Sequence, residues 1–172
     1  MPVFGAVIGG IMQRMTFLNT REHKRIIDEL EKLYGFSGKL DGVLIKNLNQ
    51  KLYLLTRQLD LIDLKEEKEL RIDKAGLYIG AVVPDGIRLS LEGCQLVGPY
   101  AKKNVLAIDD AHLEPWAKGE DLDLSPGEIE QVAKEGYHLI KHGKDFLGCA
   151  KIRNGAAHNL VSKSRRLKVL NQ

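Results

Sequence analysis

Nine basic residues crowd the end of this chain: Lys134, Lys141, Lys144, Lys151, Arg153, Lys163, Arg165, Arg166 and Lys168, against only Glu135 and Asp145. That stretch carries +7, whereas the whole 172-residue chain carries only +3, so residues 1–133 sum to −4. Cations segregated this strongly within a small protein form an electrostatic footprint for a polyanion. Arginine engages phosphate through a fork of donors, and lysine adds a compact, mobile charge. The surrounding residues alternate as strands do, which puts the charges on a folded face. Structured RNA is the polyanion this pattern raises. The residues expected to touch it are Lys151, Arg153, Lys163, Arg165 and Arg166, with Lys102 and Lys103 extending the patch and Lys141 and Lys144 in a hairpin beside it. Reversing Arg165 and Arg166 together should remove most affinity and leave the fold intact.

Other chemistry-bearing residues read differently. His112, His138 and His158 lack the spacing of metal ligands, and general acid–base work would need partners that the sequence does not place. From Asp109 to Glu130 there are eight carboxylates against Lys118, but no calcium-loop spacing, so they read as helix caps and a solvated acidic face. Cys94 and Cys149 form no C-x-x-C pair and read as buried thiols in a reducing cytoplasm; they could join only if the fold brings them together. Trp116 sits beside Leu113 and Ala117 at helical spacing and reads as core, as does Tyr137 at a strand start. No metal is expected.

The elements that must position these residues follow from periodicity. Asn19 and Glu22 have capping-box spacing; Ile26, Ile27, Leu30, Leu33 and Tyr34 then recur with a helical period up to Gly35. Val43–Lys46 and Leu52–Thr56 flank a polar turn and predict a hairpin. The acidic Leu59–Leu70 segment fits a solvated helix or an edge strand equally well. Leu77–Val83 and Ile87–Leu91 predict strands around the Pro84-Asp85-Gly86 turn. Gly98-Pro99, within Gly93–Lys103, reads as a junction. Beyond it come a strand at Val105–Ile108, a helix capped by Asp109 or Asp110 and ended by Gly119, strands at Tyr137–Lys141 and Phe146–Lys151, a turn at Gly155 and a last strand at Arg166–Leu170.

Composition bounds the class. Hydrophobic content of 44% and charged content of 28% are those of a globular chain, and no apolar run reaches the roughly 20 residues of a membrane-spanning helix. Met1–Met12 is apolar and glycine-rich without a basic leading segment, so residues 1–14 read as an upstream extension, packed as a strand or disordered, and not a signal peptide, with Met12 and Met15 as later starts. Gly5–Gly10 does not form G-x-G-x-x-G, and no strand–loop–helix unit with a downstream acid follows, so no dinucleotide or methyl-donor cofactor is expected.

The run VLAIDDAHLEPWAKGEDL, followed by YHLIKHGKDFLGCAKIRNG, resembles a PUA domain over roughly residues 100–170. It has the family's opening strand, its Asp-Ala helix start, its helix-ending glycine and a closing hairpin with Leu147-Gly148-Cys149-Ala150. Ala150 stands where the family usually has a second glycine. With R-L-S-L-E-G before it and K-S-R-R-L near the end, the arrangement is similar to the C-terminal RNA-binding portion of Fmu-type rRNA 5-methylcytosine methyltransferases. It is similar too to archaeal-type ribosome-biogenesis proteins that join an α/β domain to a PUA domain. The methyltransferase's own cofactor loop and nucleophilic cysteine have no counterpart here. The resemblance implies a β pseudo-barrel that binds rRNA or tRNA.

The expected architecture is therefore α+β: an extension over 1–14, a small mixed domain over 15–97, and a PUA-like pseudo-barrel over 98–172. The expected function is noncatalytic binding of structured RNA in ribosome biogenesis or RNA modification, in the cytoplasm. The alternative is a protein-docking adaptor for a separate RNA methyltransferase or ribosomal protein.

Overall fold

A computed structural model describes residues 3–8, 11–55 and 76–168. The acidic stretch at 59–70 lies outside the described residues, as do the last two positions of the expected Arg166–Leu170 strand. The fold is α+β, as expected, and among the described residues the strands form two sheets.

The first sheet has six antiparallel strands in sequence order: β1 (Val3–Ile8), β2 (Ile11–Phe17), β3 (Val43–Asn47), β4 (Lys51–Leu55), β5 (Leu77–Val83) and β6 (Gly86–Leu89). The N-terminal stretch read as an extension is thus paired: β1 runs along β2, and β2 joins β3 through Met15, Thr16 and Phe17, with Met15 fully buried. Helix α1 (Thr20–Tyr34) starts at the expected capping box, Asn19 accepting from the Glu22 amide and Glu22 accepting from the Asn19 amide. It ends at Gly35 with φ 62°, the left-handed conformation that glycine adopts without steric cost. Ile26, Leu30 and Tyr34 recur on its buried face, and the Tyr34 hydroxyl donates to the Ile87 carbonyl at 2.7 Å.

The segment around Gly98-Pro99 is more than a linker. Helix α2 (Leu91–Val97) begins one residue after Ser90, whose side chain caps the Gly93 amide at 2.9 Å, and a 3-10 turn follows over Gly98–Tyr100. Strand β6 therefore ends at Leu89, short of the expected Leu91: Ser90 in its capping role halts the strand. A β-carbon at Gly93 would run into the Ile79 carbonyl oxygen, so α2 rests with its backbone directly on β5.

The second sheet has the order β7-β9-β10-β11-β8 and curls into a half-barrel. Its strands are β7 (Val105–Ala107), β8 (Leu122–Asp123), β9 (Gly136–His142), β10 (Asp145–Arg153) and β11 (Ala156–Asn159). Helix α3 (Asp110–Lys118) lies between Asp109 as N-cap and Gly119 at its C-terminus, as expected, and a short α4 (Pro126–Ile129) follows β8. Asn154 and Gly155, both with positive φ, form the two-residue turn that folds β11 back on β10. The residues from Arg166 to Lys168 form no strand; Lys163–Arg165 is a 3-10 turn, and the Leu167 amide returns to the Ala117 carbonyl.

One core links the two sheets. Leu139, Phe146 and Cys149 of β9 and β10 share a cluster with Leu30, Tyr34, Ile79, Ile87, Cys94 and Val97 from the first part of the chain. The opposite face of the same hairpin, with Ile140, Ala150 and Ile152, packs with Leu106, Trp116, Leu122, Ala157 and Val161 inside the half-barrel. A bulge between Phe146 and Gly148 makes this possible. It shifts the alternation by one, so that Phe146 and Cys149 face the same core although an odd number of positions separates them. Replacing Gly93 by alanine drives a methyl group into the β5 backbone. We expect about 2 kcal/mol of lost stability, read as a lower midpoint in a urea titration with fluorescence of Trp116 as the probe.

Candidate nucleic-acid interface

The turn between β9 and β10 carries Gly143 at φ 56° and the exposed Lys144. Beside it, the Lys141 ammonium stands 5.7 Å from the centre of the Phe146 ring, a cation–π distance. Lys163 and Arg165 lie on the 3-10 turn that follows the half-barrel, and Lys144 and Arg165 line one cleft of about 480 Å³ with Trp116, Phe146 and Leu167. At the far end of β10, Arg153 is exposed and lines a second cleft of about 570 Å³ with Asn104, Lys134, Tyr137 and Lys151. Lys102 and Lys103 directly precede Asn104 of that cleft, their backbone amides donating to the Tyr34 carbonyl at 2.8 and 3.0 Å. The expected cations thus form two groups, separated by the nine residues of β10. At strand rise that is roughly 26 Å.

Ion pairing divides them further. Lys151 reaches Asp85 of the β5–β6 turn at 2.9 Å and lies 5.2 Å from the centre of the Tyr137 ring; the hydrogen bond to Asp85 raises its pKa. Arg165 pairs with Glu92 on α2. Arg166 folds back, Nε donating to the Val161 carbonyl at 2.9 Å, and its side chain fills the space where Gly119 lacks a β-carbon. Reversing Arg165 and Arg166 would therefore disturb the fold, contrary to the expectation from sequence. Lys102, Lys103, Lys144, Arg153 and Lys163 are exposed, and none of them has an ion-pair partner among the described residues.

The Leu147–Ala150 stretch of β10 is occupied by packing. Gly148 has φ 124° and a β-carbon there would strike Val161, while Leu147 turns its carbonyl to the Trp116 indole N–H at 2.9 Å. Ala150, in place of the second glycine, is fully buried in the half-barrel core. Trp116 is 1% exposed and belongs to that core, as expected; Tyr137 is half-buried under Lys151. Asn159 ties α3 to β11, its Nδ2 donating to the Trp116 carbonyl at 2.9 Å.

Three of the histidines are engaged locally. His112 Nδ1 lies 2.9 Å from Glu128 Oε1, His142 Nε2 lies 2.7 Å from Asp110, and His158 Nδ1 lies 2.9 Å from Asp121. The Asn159 amide and then His158 hold the Asp121 carboxyl below the usual carboxylate range. Asp109, His112 and Glu128 converge within 4.8 Å, a grouping that sequence spacing did not reveal. Asp109 caps the His112 amide, and Glu128 accepts from the Ser125 amide and hydroxyl, so hydrogen bonds at two helix starts account for their positions. Cys94 and Cys149 enter one buried cluster beside Tyr34; burial pushes the Cys94 thiol up.

Residues 103–167 match the family described as the methyltransferase RsmF PUA domain. This part of the chain is similar to a PUA domain. The match leaves residues 1–102 outside it, and no curated protein matches the chain. Within the PUA-like domain, sequence reasoning left out Lys134 as a contact, although it lines the cleft beside Arg153. It also missed the acidic partners Asp85 and Glu92, which lie outside the domain and meet Lys151 and Arg165 only through the fold.

His138 supplies a pH test. It is 1% exposed, with Nδ1 3.2 Å from the Gly136 carbonyl and Nε2 without a partner among the described residues. Burial lowers its pKa, so on acidification the unfolded chain takes up this proton first, near pH 6.5. Stability contributed by neutral His138 is present above that pH and falls as the pH drops through it and below. The expected result is a smaller loss of thermal stability between about pH 7.5 and about pH 5.5 in His138→Phe than in the parent chain, measured by circular dichroism.

Proposed function

We propose that this chain is a noncatalytic binder of structured RNA, either rRNA or tRNA, acting in ribosome biogenesis or RNA modification in the cytoplasm. The observation that carries the reading is a PUA-like domain bearing exposed cations that no described carboxylate neutralises. PUA domains as a family bind RNA. A small α+β unit ahead of a PUA-like unit also suits the archaeal-type ribosome-biogenesis arrangement.

The mechanism follows from charge and shape. Lys144 and Lys163 at one end of β10, and Lys102, Lys103 and Arg153 at the other, would displace counterions from phosphates. Two groups about 26 Å apart suit a helical stem lying along the β9–β10 hairpin better than a single phosphate. Lys151 and Arg165, already paired with Asp85 and Glu92, would contribute less, because a carboxylate competes for each of them.

The test is fluorescence anisotropy with labelled tRNA and rRNA fragments over a salt series. Affinity should fall steeply with salt, and Lys144→Glu with Lys163→Glu should weaken binding about tenfold and flatten the salt slope. Lys103→Glu with Arg153→Glu should do the same at the other end. Absence of binding at low salt overturns the RNA reading and leaves the basic stretch as a docking face for an RNA methyltransferase or ribosomal protein.

A further inference from the structure

We infer that Tyr100, with Lys39, Lys102 and Lys103, forms a stacking subsite for an unpaired RNA nucleobase, outside the region matched to the PUA family except for Lys103. The inference rests on the RNA-binding reading and extends it to the junction between the two sheets.

Tyr100 closes the 3-10 turn after α2 and is 53% exposed, although its neighbours hold it firmly. Its ring meets Phe36 edge-on, with centroids 6.1 Å apart and planes at 84°. Gly38 lies against the ring: a β-carbon there would come within 2.8 Å of Cγ and Cδ2. The backbone is fixed as well, the Ser37 amide donating to the Tyr100 carbonyl at 3.3 Å and the Ala101 amide to the Gly98 carbonyl at 2.9 Å. The hydroxyl has no protein partner among the described residues. An aromatic ring backed by protein and open to solvent is a platform whose conformational entropy has already been lost.

The charged residues nearest it in the chain are mostly basic, with the exposed Asp41 two positions after Lys39. Lys39 follows Gly38, and Lys102 and Lys103 follow Tyr100 closely in the chain. All three are exposed, and none has an ion-pair partner among the described residues. Amides of Lys102 and Lys103 bond to the Tyr34 carbonyl at the end of α1, which anchors the backbone and leaves both side chains at the surface. A fixed aromatic face with flanking ammonium groups matches a base and its two adjoining phosphates. An A-form stem offers no exposed base face, so the occupant is an unpaired nucleotide in a loop, bulge or end.

The experiment compares a stem–loop RNA with a blunt duplex of the same stem, binding to the full chain and to Tyr100→Ala and Tyr100→Phe. Tyr100→Ala should lose about tenfold in affinity for the stem–loop and little for the duplex, while Tyr100→Phe keeps both. Equal stem–loop affinity of Tyr100→Ala and the parent chain overturns the subsite and spares the RNA reading; a parent chain that binds neither RNA overturns both. Ultraviolet cross-linking of the parent chain to loop RNA carrying 4-thiouridine needs no variant to fold. An adduct on the peptide containing Tyr100 supports the subsite, and adducts confined to other peptides overturn it.

Discussion

Burial of the β9–β10 hairpin on both faces is the constraint on which the rest of the structure depends. One face supplies Leu139, Phe146 and Cys149 to the core shared with α1 and α2; the other supplies Ile140, Ala150 and Ile152 to the half-barrel. A strict alternation along β10 could not put both Phe146 and Cys149 on one side. The bulge before Gly148 resolves this, and the φ of 124° there suits glycine. The same local geometry presents the Leu147 carbonyl to Trp116, so the tryptophan that fills the half-barrel is satisfied by the residue beside the bulge.

The two-faced hairpin also sorts the charges. Side chains of β10 after the bulge alternate between the cores, and Lys151 falls on the side that faces the first part of the chain, where Tyr137 and Asp85 meet it. Cations at the ends of the strand escape that fate: Lys144 lies in the turn and Arg153 at the last position. A linear excess of positive charge thus becomes separated groups with unequal electrostatic reach, and position relative to the core decides which groups face solvent unneutralised.

Much of the fold is legible wherever local rules dominate. The Asn19–Glu22 box, Gly35, the Asp109 cap and Gly119 bound α1 and α3 because capping chemistry involves residues close in the chain. Strand β11 is not legible: Ala156-Ala157-His158-Asn159 has little strand propensity, and the Asn154-Gly155 turn forces it into place. Helix α2 is hidden for a related reason, since Gly93 and the following Gly98-Pro99 suggest a loop until the contact of Gly93 with β5 is known. Among the candidate contacts, charge is readable and availability is not. Glu92 meets Arg165, and Asp85 lies 66 positions before Lys151, separations that no short-range pattern encodes.

The bulge has a consequence for how this chain can change length. A strand buried on both faces admits no single-residue insertion or deletion, because each would exchange the side chains destined for the two cores. Along β10 the count between Phe146 and Ile152 is therefore locked, with Gly148 marking the place where an extra residue has already been absorbed. Length variation among related chains should be confined to the turns at Gly143-Lys144 and Asn154-Gly155, which are also the places that set the reach of the flanking cations.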